Sequence, residues 1–427
     1  MLKKPISLGM ISLLLFFTLG CNSPEVWPQV NTETEYKDYG AEGLKSYKEG
    51  YPNHIDYYNY LLKQFPDDNL GMGPEPGSPE IGMTHQPMTY GLLLSAEVLH
   101  YKYKPSELSK QKIRQAARWL IDNKDLNSDG QPGWGLPQAW DAFADGTINP
   151  ENHPYTITTA IVISALLDAL DLEDLWSRSE RTEIETLVKD VSIYWCEKVW
   201  SEDNQEGFFW YSISPTDNYF CPNVSAMFLG SLARVISEQK NFLSNNELAL
   251  LKDRVNKAAD GIMANTKWAD NVPYWDYIVY ADNNIENVRP NDLVHHVYIL
   301  WGMELYRSSG IGETSLPWSL EQALESLNYY WSDDKTLAFP TNVHFKNKDK
   351  LKDRPARLWG MGMMLAFYGK FGAVQKADYC TDIISRDYGP FPNLKLWPQS
   401  FSQDIEFYPR YAAHVLYGLA YADFYNK

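Results

Sequence analysis

The sequence predicts an all-α fold, an (α/α) toroid or barrel of six or seven helical hairpins in a single domain. A proline opens an apolar run rich in small residues at six places: Pro87, Pro154, Pro222, Pro290, Pro355 and Pro409. The first five prolines lie 65 to 68 residues apart, and the sixth follows after 54 residues. Proline suits the first turn of a helix, because its missing N–H would have no partner there. A period of this size accommodates two helices and a long loop, which indicates hairpin units repeated around a ring.

The amino terminus resembles the signal of a bacterial lipoprotein. Lys3 and Lys4 precede an apolar run that is too short to span a bilayer, and Gly20 and Cys21 end it. The resemblance implies that residues 1–20 are a signal peptide and that Cys21 is the lipidated first residue of the mature protein. We therefore expect export and anchoring to the outer membrane, facing the periplasm or the cell surface. Ordinary cleavage nearby, with Cys21 incidental, is the alternative.

Two segments follow the signal. Residues 21–42 contain Pro, Asn, Thr and Glu without periodicity and predict a tether, and residues 43–427 are predicted to form the toroid. No further stretch reaches membrane-spanning length, so any membrane attachment would be through the lipid. The remaining cysteines are too few for a disulfide framework and lie in apolar surroundings, so we expect buried thiols at Cys196, Cys221 and Cys380.

The charge and the acidic residues limit the partners. A formal net charge of −17 weighs against nucleic acid, since proteins that bind nucleic acid carry a basic surface. We expect a monomer without a cofactor or a metal. The stretch from Asp125 to Gly130 matches the start of a calcium loop, but Leu136 stands where a bidentate Glu is required. A tight turn capped by Asp125 is the preferred interpretation, with calcium binding as the alternative.

Outer helices, longer and more charged, are expected to alternate with inner helices that start at the six prolines. The outer helices are predicted over residues 54–65, 105–123, 178–199, 245–266, 317–332 and 372–386, with N-caps such as Ser106 and Ser244. The inner helices carry small residues, as at Ala160, Ala226 and Ala413, which permits close approach in a double-walled ring. Loops from outer to inner helices reach roughly 20 residues, a length typical of functional loops.

The long loops determine where the inner helices begin. Because each long loop precedes an inner helix, all the inner helices are expected to start on one face, where their N-termini offer unpaired N–H groups and partial positive charge. Four arginines lie within a turn of these starts: Arg289, Arg354, Arg357 and Arg410. The pattern predicts a locally positive cleft suited to an anion.

The long loops are also aromatic. The residues concerned are Trp134, Trp140, Phe143, Trp210, Tyr211, Tyr219, Tyr274, Trp275, Tyr277, Tyr280, Phe391, Trp397 and Phe401. Repeated on one face, such rings are typical of platforms for sugars, although each ring could instead pack its loop onto the domain. Together with the cationic helix starts, they suggest an acidic carbohydrate as the ligand.

Polar residues recur at helical spacing on two inner helices. Asn291, His295 and Tyr298 fall at i, i+4 and i+7, which predicts that all three share one face of the fourth inner helix. A rival set repeats this pattern on the last inner helix: Arg410, His414 and Tyr417. A buried polar seam is the structural alternative for such sets.

The second helix start carries the sequence Glu151-Asn152-His153-Pro154-Tyr155. Asn-His-x-Tyr at the head of an inner helix resembles the Asn-Asn-His-Ser-Tyr motif of alginate lyases with an α/α toroid fold. The size, the secretion signal and the hairpin repeat are similar to polysaccharide lyase family 38, whose members cleave alginate or glucuronan. The motif covers only a few residues, and it departs from the alginate lyase pattern at Glu151 and Pro154.

The resemblance implies a secreted lyase that cleaves an anionic uronic-acid polysaccharide by metal-independent β-elimination and leaves 4,5-unsaturated ends. This reaction removes a weakly acidic proton next to a carboxylate, so aimed donors must neutralise the charge that accumulates there. A base must take the C5 proton, and an acid must protonate O4. We assign Asn152 and Arg289 to the carboxylate. Tyr298 is assigned to proton transfer at O4, with C5 as an open second role, and His153 to the opposite face.

Nine further residues are candidates for substrate binding. They are Tyr155, His295, Asn291, Arg357, Arg410, Trp134, Trp140, Asn223 and His85. Of these, His295 and Tyr155 are also second choices for catalysis.

Two other functions stay open. A glycoside hydrolase on the same toroid, similar to unsaturated glucuronyl hydrolases, would use two carboxylates that flank the bond. Candidates in the long loops are Asp141, Asp145, Asp276 and Asp404. The third possibility is a lipid-anchored glycan-binding protein without catalysis. The products separate these functions, since only a lyase leaves a conjugated double bond that absorbs ultraviolet light.

Overall fold

Twelve α-helices alternate between the inner and outer walls of a ring in the described part of the chain. The structure is a computed structural model, and it describes residues 54–75, 81–203, 206–281, 291–331, 355–399 and 407–425. Several positions named above lie outside the described residues: the signal peptide and tether with Cys21, and Arg289, Pro290, Arg354, Phe401 and Asp404.

The two walls are formed by helices that alternate along the chain. The inner helices are α2 (Pro87–Tyr103), α4 (Thr156–Leu170), α6 (Pro222–Glu238), α8 (Leu293–Ser309), α10 (Leu358–Lys370) and α12 (Pro409–Asp423). The outer helices are α1 (His54–Leu62), α3 (Glu107–Asp122), α5 (Arg178–Lys198), α7 (Asn245–Ala264), α9 (Leu320–Ser326) and α11 (Val374–Ile383). A 3-10 turn at Leu327–Tyr330 extends α9, and a π-helical turn at Ile384–Tyr388 extends α11.

The inner helices close a ring. Each one contacts the next in chain order, and α12 returns to contact α2. Every long loop leads from an outer to an inner helix, so the inner helices all begin at one end of the ring, here called the long-loop end. The predicted all-α toroid is confirmed, and within the described residues six hairpins build it.

Glycines allow neighbouring inner helices to pack backbone to backbone. A Cβ atom at Gly302 of α8 would lie 2.0 Å from the carbonyl oxygen of Ala226 in α6. A Cβ atom at Gly362 of α10 would lie 2.4 Å from the backbone of His414 in α12. No side chain fits at such distances, so the close approach depends on glycine. Ala226 is one of the small residues that the sequence marks for close packing.

The inner helices begin at or shortly after the predicted prolines. Helices α2, α6 and α12 have the proline as their first residue. Helix α4 begins two residues after Pro154, because Pro154 and Tyr155 each form a β-bridge with another segment. Helix α8 begins after Asp292, whose carboxylate accepts the backbone N–H of His295 at 3.1 Å and caps the helix.

Two further local predictions, the serine caps and the buried thiols, are also confirmed. Ser106 and Ser244 cap α3 and α7 through their side chains. The three described cysteines, Cys196, Cys221 and Cys380, are buried free thiols. None of the helices described is long and apolar enough to cross a bilayer.

Short antiparallel strand pairs lie in the described parts of the long loops. They are β1 (Met72–Gly73) with β2 (Thr84–His85), β3 (Trp200–Asp203) with β4 (Glu206–Phe209), β5 (Tyr219–Phe220) with β8 (Tyr280–Ala281), and β6 (Lys267–Ala269) with β7 (Val272–Tyr274). Their registers pair Met72 with His85, Trp200 with Phe209, Phe220 with Tyr280 and Trp268 with Pro273. The β5–β8 pair ties the loop before α6 to the loop before α8.

Side chains fill the bore of the ring in layers. Tyr298 of α8 contacts His414 of α12, and about one turn deeper Trp301 and Tyr417 have ring centroids 5.5 Å apart. The opposite end of the ring, where the inner helices finish, is here called the short-loop end. It holds a further polar and aromatic set: Asp168, Arg234, Lys370 and Tyr421. The bore is therefore packed at its short-loop end, and the groups available for chemistry lie toward the long-loop end.

Candidate active site

A tyrosine from α8 and a histidine from α12 meet in the bore. The hydroxyl of Tyr298 lies 2.7 Å from Nε2 of His414, and both side chains are buried. Nδ1 of His414 lies 2.6 Å from the carbonyl oxygen of Arg410, which can only accept a hydrogen bond. Nδ1 therefore carries the proton of the neutral imidazole, and Nε2 accepts the hydroxyl proton of Tyr298. This bond joins the two sets of residues that the sequence presents as rivals.

Burial controls the protonation of this pair. It raises the pKa of Tyr298 above its ordinary value, and the nearby Arg410 guanidinium opposes the shift. Burial also lowers the pKa of His414 to about 3, despite the hydrogen bond to the Arg410 carbonyl. Both groups are therefore neutral around pH 7, and a phenol donates to an unprotonated imidazole.

Two arginines and a glutamate lie at the long-loop end of α10 and α12. A guanidinium nitrogen of Arg410 donates to Oε1 of Glu75, and both side chains are buried. Burial raises the pKa of Glu75, while Arg410 and then Arg357 oppose the shift, so both cations act on this carboxyl group. The glutamate reaches this place because β1 packs tightly on α12: a Cβ atom at Gly73 would lie 2.1 Å from the ring of Pro409. Arg357 and Arg410 act on Glu75, and the carboxylate of Asp292 acts on Tyr298, so the described part of the site holds two cations and two carboxylates.

Aromatic rings surround these charges. The Arg410 guanidinium lies 5.6 Å from the ring centroid of Trp359, and Trp359 lies 6.0 Å from His295. Nδ1 of His295 is 2.7 Å from the carboxylate of Asp292. The rings of His295 and Tyr298 are 6.4 Å apart, so these two residues share a helical face as the sequence predicts.

Asn291 does not share that face, contrary to the prediction. It precedes the first residue of α8, since the cap at Asp292 makes the helix begin later than Pro290 would. Its Nδ2 donates to the carbonyl oxygens of Trp275 and Asp276 at 3.3 and 3.2 Å. The amide of Asn291 therefore holds the loop before α8 in place, and its donor group is already engaged.

The motif from Asn152 to Tyr155 precedes α4: Asn152 lies in a turn, and Pro154 and Tyr155 form β-bridges. Asn152 is half-buried and has a φ of 60°, a left-handed conformation that Asn tolerates better than most residues. Tyr155 is the N-cap residue of α4 and forms an antiparallel bridge with Ser212. The rings of His153 and Tyr155 lie 5.4 Å apart, so the motif presents an imidazole beside a phenol.

A continuous chain of hydrogen bonds links these two rings. Nε2 of His153 lies 3.2 Å from Oγ of Ser212, which donates to Oδ2 of Asp217 at 2.7 Å. Nδ2 of Asn149 donates to the same carboxylate oxygen at 2.6 Å and lies 3.2 Å from the hydroxyl of Tyr155. All five side chains are buried. We call this set the His153 network.

A small apolar cluster, separate from the main core, lies between the His153 network and His295 of α8. Its buried members are Ala142, Phe143, Tyr155, Tyr211, Tyr219, Cys221, Val224, Tyr277 and Ile278. Tyr155 belongs to the His153 network, and the ring of Tyr277 lies 4.8 Å from His295. Trp140 packs against this cluster. Aromatic residues of the long loops therefore form a wall that extends from His153 to His295, whose ring lies 6.4 Å from that of Tyr298.

Two predicted substrate contacts lie elsewhere. The indole of Trp134 is buried in the main core and donates to the carbonyl oxygen of Leu120 at 3.0 Å, so it offers no face to a sugar. His85 stacks on Trp119 of the outer helix α3 at 5.3 Å, and its Nδ1 lies 2.9 Å from the hydroxyl of Tyr90. The structure places both residues in the packing of the domain, in contrast to their predicted role.

Two other candidates lie at inner helix starts, as the sequence predicts. Asn223 is buried in the first turn of α6, and its Oδ1 has no hydrogen-bond partner in the described part of the structure. Arg357 is the N-cap residue of α10, and its guanidinium lies 5.0 Å from the ring centroid of Trp397.

The described carboxylates that a hydrolase would require are engaged in other contacts. Asp141 accepts the backbone N–H groups of residues 145 and 146 at 3.2 and 2.9 Å. Asp145 accepts the hydroxyl of Tyr219 at 2.7 Å, and Asp276 forms an ion pair with Lys267. These three side chains stabilise loops and their junctions.

The Asp125 loop is the predicted tight turn. The carboxylate of Asp125 accepts hydrogen bonds from the backbone N–H groups of Asp129 and Gly130, both at 3.1 Å. Throughout the part of the chain that the structure describes, no group of three or more His, Cys, Asp or Glu side chains is arranged to hold a metal ion.

Sequence reasoning missed Glu75, the acidic partner of Arg410, and three members of the His153 network: Asn149, Ser212 and Asp217. Glu75 meets Arg410 across 335 positions, and Asp217 meets Asn149 across 68. No local pattern marks such partners, because the contacts arise from the folding of one long loop against another. The available signal was only that functional residues concentrate in long loops.

No protein-family model matches the sequence, and no curated protein is significantly similar to it. Among solved structures, the chain is similar to an unsaturated glucuronyl hydrolase specific for heparin, with a TM-score of 0.52, 12% identity and coverage of 90% of this chain and 97% of that one. Cellobiose 2-epimerase from Spirochaeta thermophila DSM 6192 has a TM-score of 0.54 and 11% identity, covering 88% of this chain and 99% of that one. A D-mannose isomerase also has a TM-score of 0.54 and 11% identity, covering 91% and 99%. At these identities the similarity establishes a shared fold.

Proposed function

We propose that this chain is a secreted polysaccharide lyase that cleaves an anionic uronic-acid polysaccharide, alginate or glucuronan, by metal-independent β-elimination. The observation that carries the proposal is the hydrogen bond of 2.7 Å between Tyr298 and His414, next to Arg410. Burial raises the pKa of Tyr298 and lowers that of His414, so the hydroxyl proton moves to the imidazole only as the substrate gives up its C5 proton. In that concerted step the pair takes a proton from carbon and returns one to oxygen.

Tyr298 and His414 together can carry out every proton transfer that the elimination requires. The C5 proton moves to the Tyr298 oxygen while the Tyr298 hydroxyl proton moves to Nε2 of His414. The electron pair from C5 forms the C4–C5 double bond, and the C4–O4 bond breaks. O4 receives a proton from Tyr298, which recovers its own from His414. The net result is the transfer of one proton from C5 to O4, with no change in the enzyme.

The arginines support an anionic substrate. Proton removal next to a carboxylate builds negative charge, and fixed cations that are aimed at it lower the barrier. Arg410 lies close enough to Tyr298 to oppose the rise in its pKa, and Arg357 acts together with Arg410 on the carboxyl group of Glu75. We assign Arg410 to the carboxylate of the substrate, together with Asn152 and Arg289, the latter outside the described residues.

The fold and the amino terminus are consistent with this function. The similar solved structures are named for proteins that act on sugars, and the chain shares their fold. The Asn-His-x-Tyr motif resembles that of toroid alginate lyases. We further propose that a lipid on Cys21 anchors the protein at the outer membrane, where such polysaccharides would be met.

The test is direct. The purified mature protein is incubated with alginate, glucuronan, pectate and chondroitin, and ultraviolet absorbance is followed. We expect absorbance to rise on at least one polyuronate, and the Tyr298→Phe variant serves as the inactive control. No rise on any of these polymers, from a folded protein, would contradict the lyase proposal.

A hydrolase is the second candidate, with Asp217 as its general acid, a buried carboxyl group that accepts hydrogen bonds from Ser212 and Asn149 in the His153 network. Burial raises the pKa of the Asp217 carboxyl group, although hydrogen bonds from Ser212 and Asn149 oppose the shift. A carboxyl group with a raised pKa is suited to act as a general acid toward a glycosidic oxygen. A hydrolase would release new reducing ends from uronate-containing oligosaccharides without any rise in ultraviolet absorbance. A glycan-binding protein would give neither signal.

A further inference from the structure

The hydroxyl of Ser212 occupies the centre of the His153 network and has three polar neighbours. It accepts the backbone N–H of Ser214 at 3.0 Å and donates to Oδ2 of Asp217 at 2.7 Å. The third neighbour is Nε2 of His153 at 3.2 Å. A hydroxyl has only one proton to donate, and here that proton goes to the carboxylate.

This arrangement determines which nitrogen of His153 is protonated. Since the Ser212 proton goes to Asp217, the serine oxygen can only accept from His153, and Nε2 must carry the hydrogen. In the neutral ring Nδ1 is then unprotonated. Burial lowers the pKa of His153 and so favours the neutral ring, and Asp129 partly offsets this shift.

Asn149 connects Asp217 to Tyr155 and determines the donor and acceptor roles of the Tyr155 hydroxyl. Its amide nitrogen has two hydrogens, one toward Asp217 at 2.6 Å and one toward the hydroxyl oxygen of Tyr155 at 3.2 Å. The Tyr155 oxygen accepts in this contact, so its own proton is free to be donated elsewhere.

We propose that Ser212 and Asp217 are positioning residues that hold His153 as a proton acceptor at Nδ1, with Asn149 fixing the same carboxylate and leaving the Tyr155 proton available, for substrates in which the C5 proton and O4 leave from opposite sides. The inference rests on the proposed lyase function and adds to it the class of uronic-acid unit that this second group serves. In such a unit, the C5 proton moves to Nδ1 of His153, the C4–C5 double bond forms, the C4–O4 bond breaks, and O4 takes a proton from Tyr298 on the other side. Exchange with solvent then removes the proton from His153 and restores the one that Tyr298 gave up.

The protonation of His153 can be measured without any substrate. The full mature protein is labelled with ¹⁵N-histidine, and the ring signals of His153 are assigned by comparison with His153→Gln. We expect one pattern in the wild type, with Nε2 protonated and Nδ1 unprotonated. In Ser212→Ala the pattern should shift toward a mixture of the two tautomers. A wild-type ring protonated at Nδ1, or a pattern unchanged in a folded Ser212→Ala protein, would overturn the proposal.

A matched control is available in the same loop. The hydroxyl of Ser214 contacts that of Thr216 at 2.7 Å on the surface, so Ser214→Ala removes a hydroxyl without touching His153. This variant should keep the wild-type His153 pattern. An equal shift in Ser214→Ala would show that the change comes from the loop and would count against a positioning role for Ser212.

The activity test separates this inference from the proposed function. Ser212→Ala and Asp217→Asn should lower turnover of opposite-side substrates by roughly 10- to 100-fold, as loss of an orienting partner does at other sites. Turnover of same-side substrates should change little. Equal losses on both substrate types would overturn the assignment. If the wild type shows no lyase activity at all, the proposed function fails, while the ¹⁵N measurement still tests the positioning of His153.

Discussion

The hydroxyl of Tyr298 and Nε2 of His414 are 2.7 Å apart, although 116 positions separate the two residues in the sequence. The two belong to different inner helices, and each was one member of a separate set at helical spacing. Their contact means that α8 and α12 contribute to a single site. A phenol and an imidazole in this arrangement act as one unit, so their contributions should not be independent.

The first prediction concerns this pair. Tyr298→Phe and His414→Gln should each lower turnover by about 10²- to 10⁴-fold, the usual range for a general acid–base group. Glutamine keeps an acceptor for the Tyr298 hydroxyl and a donor for the Arg410 carbonyl but cannot take up a proton. The double variant should lose little more than either single variant, because the two groups act together. Steady-state kinetics on the best polyuronate would measure these losses.

Tyr417→Phe provides the control for the pair. Tyr417 lies about one turn deeper in the bore than His414 and contacts Trp301. Its loss should leave turnover close to that of the wild type. Multiplicative losses in the Tyr298 and His414 double variant would show that the two residues act separately.

The second prediction concerns the buried pair of Glu75 and Arg410. Removing Glu75 takes away the carboxylate that Arg410 contacts, and removing Arg410 leaves Glu75 with Arg357 alone. Breaking a buried ion pair on one side typically costs about 3–5 kcal/mol. Glu75→Gln and Arg410→Gln should therefore each lower the free energy of unfolding strongly. The double variant should be more stable than the sum of the two single losses indicates. Urea unfolding of the four proteins would measure this coupling, and additive losses would argue against it.

The third prediction concerns the contact between α6 and α8. A Cβ atom at Gly302 would lie 2.0 Å from the backbone carbonyl of Ala226, so Gly302→Ala must push the helices apart. We expect the free energy of unfolding to fall by about 1–3 kcal/mol, as in other overpacked cores. Gly91→Ala in α2 is the matched control, since its nearest contact would be Ile161 at 3.3 Å. That variant should lie within about 1 kcal/mol of the wild type, because alanine is the better helix former. Equal stability for both variants in urea would contradict the tight contact.

The fold could be predicted because it depends on features that repeat along the chain. Prolines at a regular spacing, small residues in the inner helices and caps such as Ser244 are local signals, and each one is present in the structure. Such signals determine where helices begin and which faces are apolar. Six repeats of the same unit then leave a closed ring as the simplest arrangement.

The candidate site could be predicted only where it depends on one helix. His295 and Tyr298 share a face as their spacing indicates, but the spacing does not reveal that Tyr298 meets His414. Asn291 was misplaced because the Asp292 carboxylate starts the helix later than expected. Trp134 was misplaced because an aromatic residue in a long loop has the same appearance in a sequence whether it lines a cleft or fills the core.

The fourth prediction concerns Cys21. If this residue carries the lipid, Cys21→Ser should release the protein from the membrane fraction, since a serine cannot form the thioether. Ser23→Ala nearby should leave the fractionation unchanged. Labelling of cells with a radioactive fatty acid, followed by fractionation, would measure both effects. A Cys21→Ser protein that still sediments with membranes would contradict the lipoprotein assignment.

The last prediction separates Tyr298 from His153. In a mannuronate-type unit the C5 proton and O4 leave from the same side, so one tyrosine can serve as both base and acid. In a guluronate-type unit they leave from opposite sides, and a second group is required. If His153 is that group, His153→Ala should harm opposite-side elimination far more than same-side elimination, whereas Tyr298→Phe should abolish both.

The experiment compares turnover of the two variants on mannuronate-rich and guluronate-rich substrates, alongside a thermal melt. Losses of about 10²- to 10⁴-fold are expected, with melting temperatures close to that of the wild type. His85→Ala is the matched control, because His85 packs on Trp119 of the outer wall and should affect neither substrate. Equal losses on both substrates for His153→Ala would make His153 a neutraliser of the substrate carboxylate beside Asn152. Near-normal activity of a folded Tyr298→Phe protein would shift the catalytic role to Tyr155, whose hydroxyl oxygen accepts from Asn149 and leaves its own proton available for O4.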